Sequence, residues 1–171
     1  MKLRTLAFGL VVVAALATTA CSAGSGPAAA PATDTASVEA AAHHAHDLYL
    51  LAINSNNVDA FLGTVTDDIV FMPPNSPAIQ GKKDVGAWVK DYFGAYQTSW
   101  DKTSKEFVVV GDLAYEWYAY KSEDVPRPDG PAKDTPTVID EGNGINIYRK
   151  GADGVWRVAR DAWSTAKKTG Q

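Results

Sequence analysis

The sequence contains a single cysteine, Cys21. A chain with one cysteine has no internal disulfide and lacks the paired cysteines of thiolate zinc sites. It also lacks a glycine-rich phosphate loop after a strand and the glycine–serine turn that exposes a nucleophilic serine. These absences exclude disulfide scaffolds, thiolate metal centres and the nucleotide hydrolases and serine hydrolases that carry those motifs.

Positive charge is also scarce. The chain has 16 lysines and arginines against 20 aspartates and glutamates, for a net charge of −4. Lys2 and Arg4 belong to the N-terminal segment described next, and without them 14 basic residues face 20 acidic ones, so the net charge becomes −6. This sign argues against nucleic acid or an anionic membrane surface as a partner.

No hydrophobic run is long enough to span a membrane. The longest apolar and small-residue run covers residues 6–17, whereas a membrane helix needs about 20 apolar residues. The run follows Lys2 and Arg4 and is succeeded by two threonines and an alanine, which is the order typical of a secretory signal. We therefore predict a signal peptide at residues 1–20 and export of the chain.

Cys21 directly follows this signal. Residues 16–21, Leu-Ala-Thr-Thr-Ala-Cys, resemble the lipobox of bacterial lipoproteins, which implies a lipid on Cys21. The alternative is a free or intermolecularly paired thiol after ordinary cleavage. Residues 22–35 are almost entirely small or hydroxyl-bearing, so residues 21–35 are interpreted as a lipidated cysteine with a flexible linker. We expect contact with the extracytoplasmic face of the cell-envelope membrane through this lipid only.

Helical periodicity dominates the first half of the remaining chain. Apolar residues recur every three or four positions over residues 37–54, and a wide apolar stripe follows Gly81. A shorter helix is predicted at residues 58–65, and a strand at 68–72 ends before Pro73 and Pro74.

The second half reads as strands joined by short turns. The predicted strands cover residues 99–110, 113–122, 137–149 and 155–162. Closely spaced strands of this kind pair antiparallel. Helices followed by an antiparallel sheet indicate an α+β domain in which the helices cover one sheet face.

Several segments carry a resemblance to a known family. They are residues 57–61, 66–74, 79–82, 142–150 and 153–161. In order and spacing they are similar to the SnoaL-like, ketosteroid-isomerase-like branch of the nuclear transport factor 2 superfamily. The resemblance implies a cone-shaped domain at residues 36–166, built from a curved antiparallel sheet wrapped by three N-terminal helices. It also implies a homodimer through the sheet, and residues 167–171 are expected to form a disordered tail.

The resemblance also shows where the catalytic residues of an isomerase would lie in this sequence. Ketosteroid isomerases use a tyrosine on the first helix as an oxyanion donor and a carboxylate after the first strand as the base. The donor falls on Tyr49, but the base falls on Met72 or Pro73, and neither accepts a proton. We therefore do not expect ketosteroid isomerase activity.

Two other carboxylates are catalytic candidates beside Tyr49. Glu116 lies in an aromatic-rich strand, and alternation places Asp161 on the same face as Trp163. A carboxyl group packed against aromatic side chains is expected to have a raised pKa, as general acids and bases often do. The simpler interpretation is a solvated or arginine-paired carboxylate, with Arg149, Arg157 and Arg160 available.

The histidines are clustered at one place. His43 and His46 are one helical turn apart, with His44 between them. Two imidazoles do not complete a metal site, so the cluster is interpreted as a solvated helix face. Neither a metal nor a cofactor is predicted.

Aromatic residues supply the remaining functional signal. The candidates for a pocket inside the cone are Tyr49, Phe71, Trp88, Tyr92, Tyr118 and Trp163. A concave apolar pocket typically binds a small molecule, so the first hypothesis is binding of an apolar or aromatic ligand. The alternatives are an isomerase-, cyclase- or dehydratase-type enzyme using acid–base catalysis, and a non-catalytic dimeric interaction module of the cell envelope.

Lipidation of Cys21 is directly testable. We expect the membrane-fraction protein to begin at an acylated Cys21, and Cys21→Ser to release the chain from membranes because its lipid attachment site is lost. Intact-mass spectrometry and fractionation measure both effects, with Ser22→Ala as the matched control. A mature chain whose mass fits an unmodified cysteine would contradict the hypothesis.

Overall fold

The computed structural model describes residues 32–170, with side chains from residue 35 onward. The predicted signal peptide, Cys21 and most of the predicted linker lie outside the described residues. Within the described part of the chain, no helix combines the length and apolar character needed to cross a membrane.

Three helices precede most of the sheet. They are α1, Ala32–Asn54; α2, Val58–Gly63; and α3, Lys82–Ala95. The predicted linker boundary is wrong by four residues, because α1 already begins at Ala32 in an alanine-rich segment that favours helix. Asn57 caps α2, since its side chain accepts a hydrogen bond from the Ala60 N–H at 2.9 Å. The helical first half is therefore encoded locally.

Six strands form one curved sheet. They are β1, Val65–Met72; β2, Ile79–Gln80; β3, Tyr96–Val110; β4, Leu113–Pro126; β5, Val138–Lys150; and β6, Trp156–Thr169. Their spatial order is β2-β1-β6-β5-β4-β3. The α+β cone predicted from the sequence is confirmed.

The sheet is mixed, so the prediction of a purely antiparallel sheet is wrong at one pair. β1 runs parallel to β6, with Phe71 opposite Asp161, whereas the other neighbouring strands pair antiparallel. Turn residues in the sequence indicate the pairing direction only for strands that follow each other in the chain. The β1–β6 pair joins strands from opposite ends of the domain, and no turn in the sequence reports its direction.

The predicted disordered tail is also wrong for residues 167–169. These residues extend β6 and pair with the start of β5, with Lys168 opposite Asp140 and Thr169 opposite Ile139. Their polar side chains do not prevent pairing because the strand is held by backbone hydrogen bonds. This extension brings Lys168 to the open end of the cone.

Alternation along the strands separates a concave face from a convex face. In β4, Glu116, Tyr118 and Tyr120 are buried against the helices, while Tyr115 and Trp117 point outward and are exposed. The apolar core lies on the concave side, where each helix contributes to an aromatic cluster. The ring of Phe61 is at its centre, 5.6 to 6.4 Å from the rings of Tyr49, Phe71 and Phe93.

Two glycines in β5 bring the sheet close to its own aromatic side chains. A Cβ atom at Gly144 would overlap the hydroxyl end of Tyr118, and one at Gly142 would overlap the Ser164 carbonyl oxygen. The absence of side chains here lets the Tyr118 ring lie flat across β5 and reach Asp161 on β6. The two glycines thus help to position the polar groups of the cone interior.

Candidate functional site

The cone contains a small internal cavity of about 40 Å³. We call it the inner cavity. Its walls are Tyr49, Ile53, Phe61, Phe71, Trp88, Val89, Tyr92, Phe93, Trp100, Lys102, Asp161 and Trp163. All three helices and strands β1, β3 and β6 contribute, so the cavity depends on the assembled fold rather than on one motif.

Asp161 is the acidic group of the inner cavity. It is only 4% exposed, and both of its carboxylate oxygens accept hydrogen bonds from tyrosines. Tyr49 donates to Oδ2 at 2.6 Å and Tyr118 donates to Oδ1 at 3.0 Å. These charge-assisted bonds join α1, β4 and β6 at one carboxylate.

The tyrosines remain proton donors. Burial, followed by the charge of Asp161 and its hydrogen bond, raises the pKa of Tyr49 well above its usual value. The pKa of Tyr118 rises for the same reasons. Both hydroxyls therefore stay protonated at neutral pH and are committed to Asp161.

Lys102 brings a buried amine to the same cavity. Its Nζ donates to Oδ1 of Asn146 at 3.2 Å and lies 4.0 Å from the centre of the Tyr118 ring. Burial lowers the pKa of Lys102, while the charges of Asp161 and Glu116 oppose that change. An amine so placed is a hydrogen-bond donor to a group entering the cavity.

Glu116 lies in a second polar cluster behind the cavity. Its Oε2 accepts from the Tyr148 hydroxyl at 2.7 Å and lies 2.9 Å from Nδ1 of His46. Burial acts to raise the pKa of Glu116, but the hydrogen bonds and charge of His46, the Tyr148 hydroxyl and Lys102 lower it below its ordinary value. Glu116 is thus held as a carboxylate and does not line the inner cavity.

These placements make the simpler interpretation of Glu116 and Asp161 wrong. Neither carboxylate is solvated, and neither is paired with an arginine. The arginines point away from the concave face. Arg157 pairs with Asp153 at 2.9 Å, and Arg149 and Arg160 pair with Asp68.

The histidine cluster is divided between surface and interior. His44 is exposed, and the ring of His43 stacks on Phe107 at 4.0 Å. His46 is half-buried against Glu116, so the interpretation of a wholly solvated face is wrong for this residue. Among the described residues, no three His, Cys, Asp or Glu side chains are grouped to hold a metal ion.

A second, larger space opens outside the inner cavity. This outer chamber has a volume of about 360 Å³. It is lined by Pro73, Pro74, Asn75, Ser76, Trp88, Tyr92, Trp100, Ser122, Asp124, Asp140, Trp163, Thr165 and Lys168. Four of these side chains also line the inner cavity, and we call them the aromatic wall: Trp88, Tyr92, Trp100 and Trp163.

Five of the six candidate pocket aromatics line the inner cavity. Tyr49 and Phe71 lie at its inner end, and Trp88, Tyr92 and Trp163 belong to the aromatic wall. Tyr118 is fully buried and reaches the cavity only through its hydrogen bond to Asp161. At the position of the isomerase base, Met72 is 39% exposed and Pro73 lines the outer chamber.

Sequence reasoning missed several residues of the site. Lys102 and Trp100 alternate with exposed residues on β3, so the period-two pattern places both on the concave face. His46 lies three residues before Tyr49 on α1, and this helical spacing puts both on one stripe. The partners Asn146 and Tyr148 on β5 carry no comparable signal, because their roles depend on the register with β4.

A family model for the SnoaL-like domain matches residues 45–161 of this chain. The matched segment runs from α1 to Asp161 and contains most of the residues that line the inner cavity. No curated protein is similar enough in sequence to match.

Solved structures share the fold. A ketosteroid isomerase-like protein from Erwinia carotovora is 26% identical with a TM-score of 0.65, over 75% of this chain and 96% of that one. A candidate scytalone dehydratase from Novosphingobium aromaticivorans is 17% identical with a TM-score of 0.69, over 81% and 91%. A nuclear transport factor 2-like protein from Salmonella enterica is 16% identical with a TM-score of 0.64, over 80% and 96%.

The lowered pKa of Glu116 predicts a pH-dependent stability. Its carboxylate stabilises the fold above the unfolded-state pKa near 4.5, and this contribution is lost as the pH falls through the lower folded-state value. Glu116→Gln should therefore reduce the free energy of unfolding by about 1–3 kcal/mol at pH 7, because a neutral amide accepts these hydrogen bonds more weakly.

Denaturant unfolding of wild type and variant at several pH values measures this difference. We expect the difference to begin to shrink below the unfolded-state pKa near 4.5 and to be lost as the pH falls through the lower folded-state pKa, where Glu116 becomes protonated in the wild type too. Glu123→Gln, at an exposed position of the same strand, is the control and should show little difference at any pH. A Glu116→Gln difference independent of pH would contradict the assignment.

Proposed function

Because this chain belongs to the SnoaL-like domain family, we propose that its cone binds a small molecule with a flat apolar or aromatic body. The outer chamber carries the proposal. Its volume of about 360 Å³ falls in the range of small-molecule sites, about 300–1,000 Å³. Its aromatic wall offers ring surface that such a body can contact, and aromatic pairs favour stacked or edge-to-face arrangements.

The inner cavity supports a division of the ligand into two parts. At about 40 Å³ it has room only for a group on the scale of a few water molecules. The apolar body would therefore occupy the outer chamber, and a small polar substituent would pass the aromatic wall. There it would meet the Lys102 amine and the Asp161 carboxylate.

Catalysis is the second candidate, and it has less support than binding. A ketosteroid isomerase-like protein and a candidate scytalone dehydratase share the fold, yet this fold carries many functions. Both oxygens of Asp161 are already bonded to Tyr49 and Tyr118, and Glu116 does not reach the cavity. Asp161 would thus have to accept a proton while holding both tyrosine hydrogen bonds, and Glu116 offers no second acid or base to a ligand in the cavity.

We also propose that the domain lies outside the cytoplasm. The charged and apolar order of residues 1–20, the lipobox-like segment before Cys21 and the small-residue linker support export and a lipid anchor. The ligand would then be a molecule present at the cell envelope. A tethered binding domain samples such molecules without entering the membrane.

Ligand binding can be measured with 2-phenylethanol as a neutral probe. We expect saturable binding to the mature chain, residues 21–171, by isothermal titration calorimetry. Trp163→Leu should weaken binding by about tenfold, because an aromatic contact contributes about 0.5–1.5 kcal/mol beyond its area. Trp117→Leu on the convex face is the matched control and should leave the affinity unchanged. Equal affinities for wild type and Trp163→Leu would contradict this site.

The convex face of the sheet supports a homodimer. Tyr115 pairs with Ile147 and Trp117 with Ile145 across β4 and β5. All four side chains are uncharged and exposed, with Trp117 45% and Ile145 48% accessible. These strands lie inside the sheet rather than at its edge, so they present a face that a second copy can cover in the same way.

Light scattering coupled to size-exclusion chromatography tests the dimer. We expect the mature chain to have twice its monomer mass, and Trp117→Lys to be monomeric because it places an unpaired charge in the interface. Leu51→Lys, at a more exposed apolar residue on α1, should remain dimeric. A monomeric wild type would remove the dimer proposal without affecting the ligand site.

A further inference from the structure

Two carboxylates, Asp140 and Asp124, line the outer chamber together with the aromatic wall. Asp140 is 9% exposed; its Oδ2 accepts a hydrogen bond from the Thr165 hydroxyl at 3.0 Å. Its Oδ1 is buried and has no hydrogen-bond partner among the described residues. The Tyr120 hydroxyl also interacts with the Asp140 carboxylate: burial, with the charge of Asp140 and a hydrogen bond to it contributing, raises the pKa of Tyr120 to about 12. A buried carboxylate oxygen without a donor is a place for a ligand that supplies one.

Asp124 lies on the same side of the chamber. Its Oδ1 accepts hydrogen bonds from the Thr98 hydroxyl at 2.6 Å and from the Tyr92 hydroxyl. Burial nevertheless raises the pKa of Asp124 above its ordinary value, against the lowering effect of these bonds and of Lys168. Within residues 35–170, no ion pair includes Asp124 or Asp140. The two acids therefore lack a close cationic partner.

The aromatic wall completes a surface that attracts cations. Trp88 and Tyr92 stack with ring centres 5.2 Å apart, and Trp163 lies edge-on to Trp88 and Trp100 at 6.4 and 6.3 Å. Aromatic faces carry negative potential and bind ammonium groups, most strongly where water is excluded. Aromatic rings and carboxylates without an ion-pair partner therefore line one chamber, and together they favour a positively charged ligand group.

The basic residue among the described lining of the outer chamber is Lys168. Lys168 lies opposite Asp140 in the register of β5 and β6. Its side chain is exposed and forms no ion pair, within 4 Å, with Asp140 or Asp124. Its ammonium group repels a cationic ligand without neutralising both acids. The chamber thus retains an excess of negative charge.

We propose that the outer chamber selects an organic cation, an ammonium group attached to an apolar or aromatic body. The ammonium group would lie near Asp140 and Asp124 and donate to the Asp140 carboxylate, and the body would contact the aromatic wall. This inference rests on the proposed ligand-binding function and names the chemical class of the ligand.

Two probes of matched shape separate charge from apolar contact. 2-Phenylethylamine is cationic at pH 7, and 2-phenylethanol has the same body without the charge. At low salt, calorimetry of the mature chain should show the amine binding about tenfold more tightly than the alcohol. Asp140→Asn should remove most of this preference and leave the affinity for the alcohol unchanged.

Lys168→Met is an independent variant that should change the affinity for the amine in the opposite direction. Removing this exposed cation should strengthen amine binding by about two- to fivefold, because a like charge at the chamber is lost. Glu123→Gln, at an exposed acid beside Asp124, is the control and should change neither affinity. Should Asp140→Asn fail to fold, the Lys168→Met result still decides the question.

The outcomes separate this inference from the function on which it rests. Equal binding of both probes, or equal weakening of both by Asp140→Asn, would overturn cation selection while leaving a neutral-ligand site intact. Binding of neither probe would count against both proposals. An amine preference that Asp140→Asn reduces and Lys168→Met increases would support the inference.

Discussion

The carboxylate of Asp161 constrains the whole interior of the cone. A buried carboxylate without donors is costly, by several kcal/mol, so both oxygens must be satisfied by groups from elsewhere in the fold. Tyr49 reaches it from α1 at 2.6 Å and Tyr118 from β4 at 3.0 Å. The position of the first helix over the sheet is therefore fixed by a hydrogen bond as well as by apolar packing.

The other buried ionisable groups also take partners from different elements. Glu116 accepts a hydrogen bond from Tyr148 and contacts His46, and Lys102 donates to Asn146, although Oε1 of Glu116 and Nδ2 of Asn146 have no hydrogen-bond partner among the described residues. Polar atoms that satisfy one another are less available to a ligand. Such mutual pairing favours a rigid inner end, and under the proposed function the aromatic wall rather than these groups would make the main contact with a ligand.

Much of this arrangement follows from periodicity in the sequence. Helical spacing marks Tyr49 as an inward residue, and strand alternation places Asp161 and Trp163 on one face. The family and its α+β cone are confirmed, because they depend on such local patterns in the right order. The parallel pairing of β1 with β6 was not predictable in this way, since it joins distant segments whose direction no turn specifies.

The charged interior was harder to predict than the fold. Lys102 is flanked by Asp101 and Thr103 on a strand with many polar residues, which reads as a solvated segment. Its burial depends on the curvature of the sheet and on acids from β4 and β6. His46 belongs to a run of histidines typical of a surface, and only the position of Glu116 on β4 gives it a buried partner. Pairings between distant elements carry no signature in either segment alone.

The two compartments differ in the charge they present, and this difference would orient a ligand. The inner cavity combines the Lys102 amine, whose pKa burial lowers, with the Asp161 carboxylate, while Asp124 and Asp140 place two carboxylates around the outer chamber. A cationic group moving past the aromatic wall would lose its hydration in a space of about 40 Å³, which is costly for a charge, and the Asp161 carboxylate there is already hydrogen-bonded to two tyrosines. The same group at the mouth meets opposite charge. A ligand with one charged end would therefore enter with its apolar or acceptor end first, so that the polarity of the interior sets its direction as well as its class.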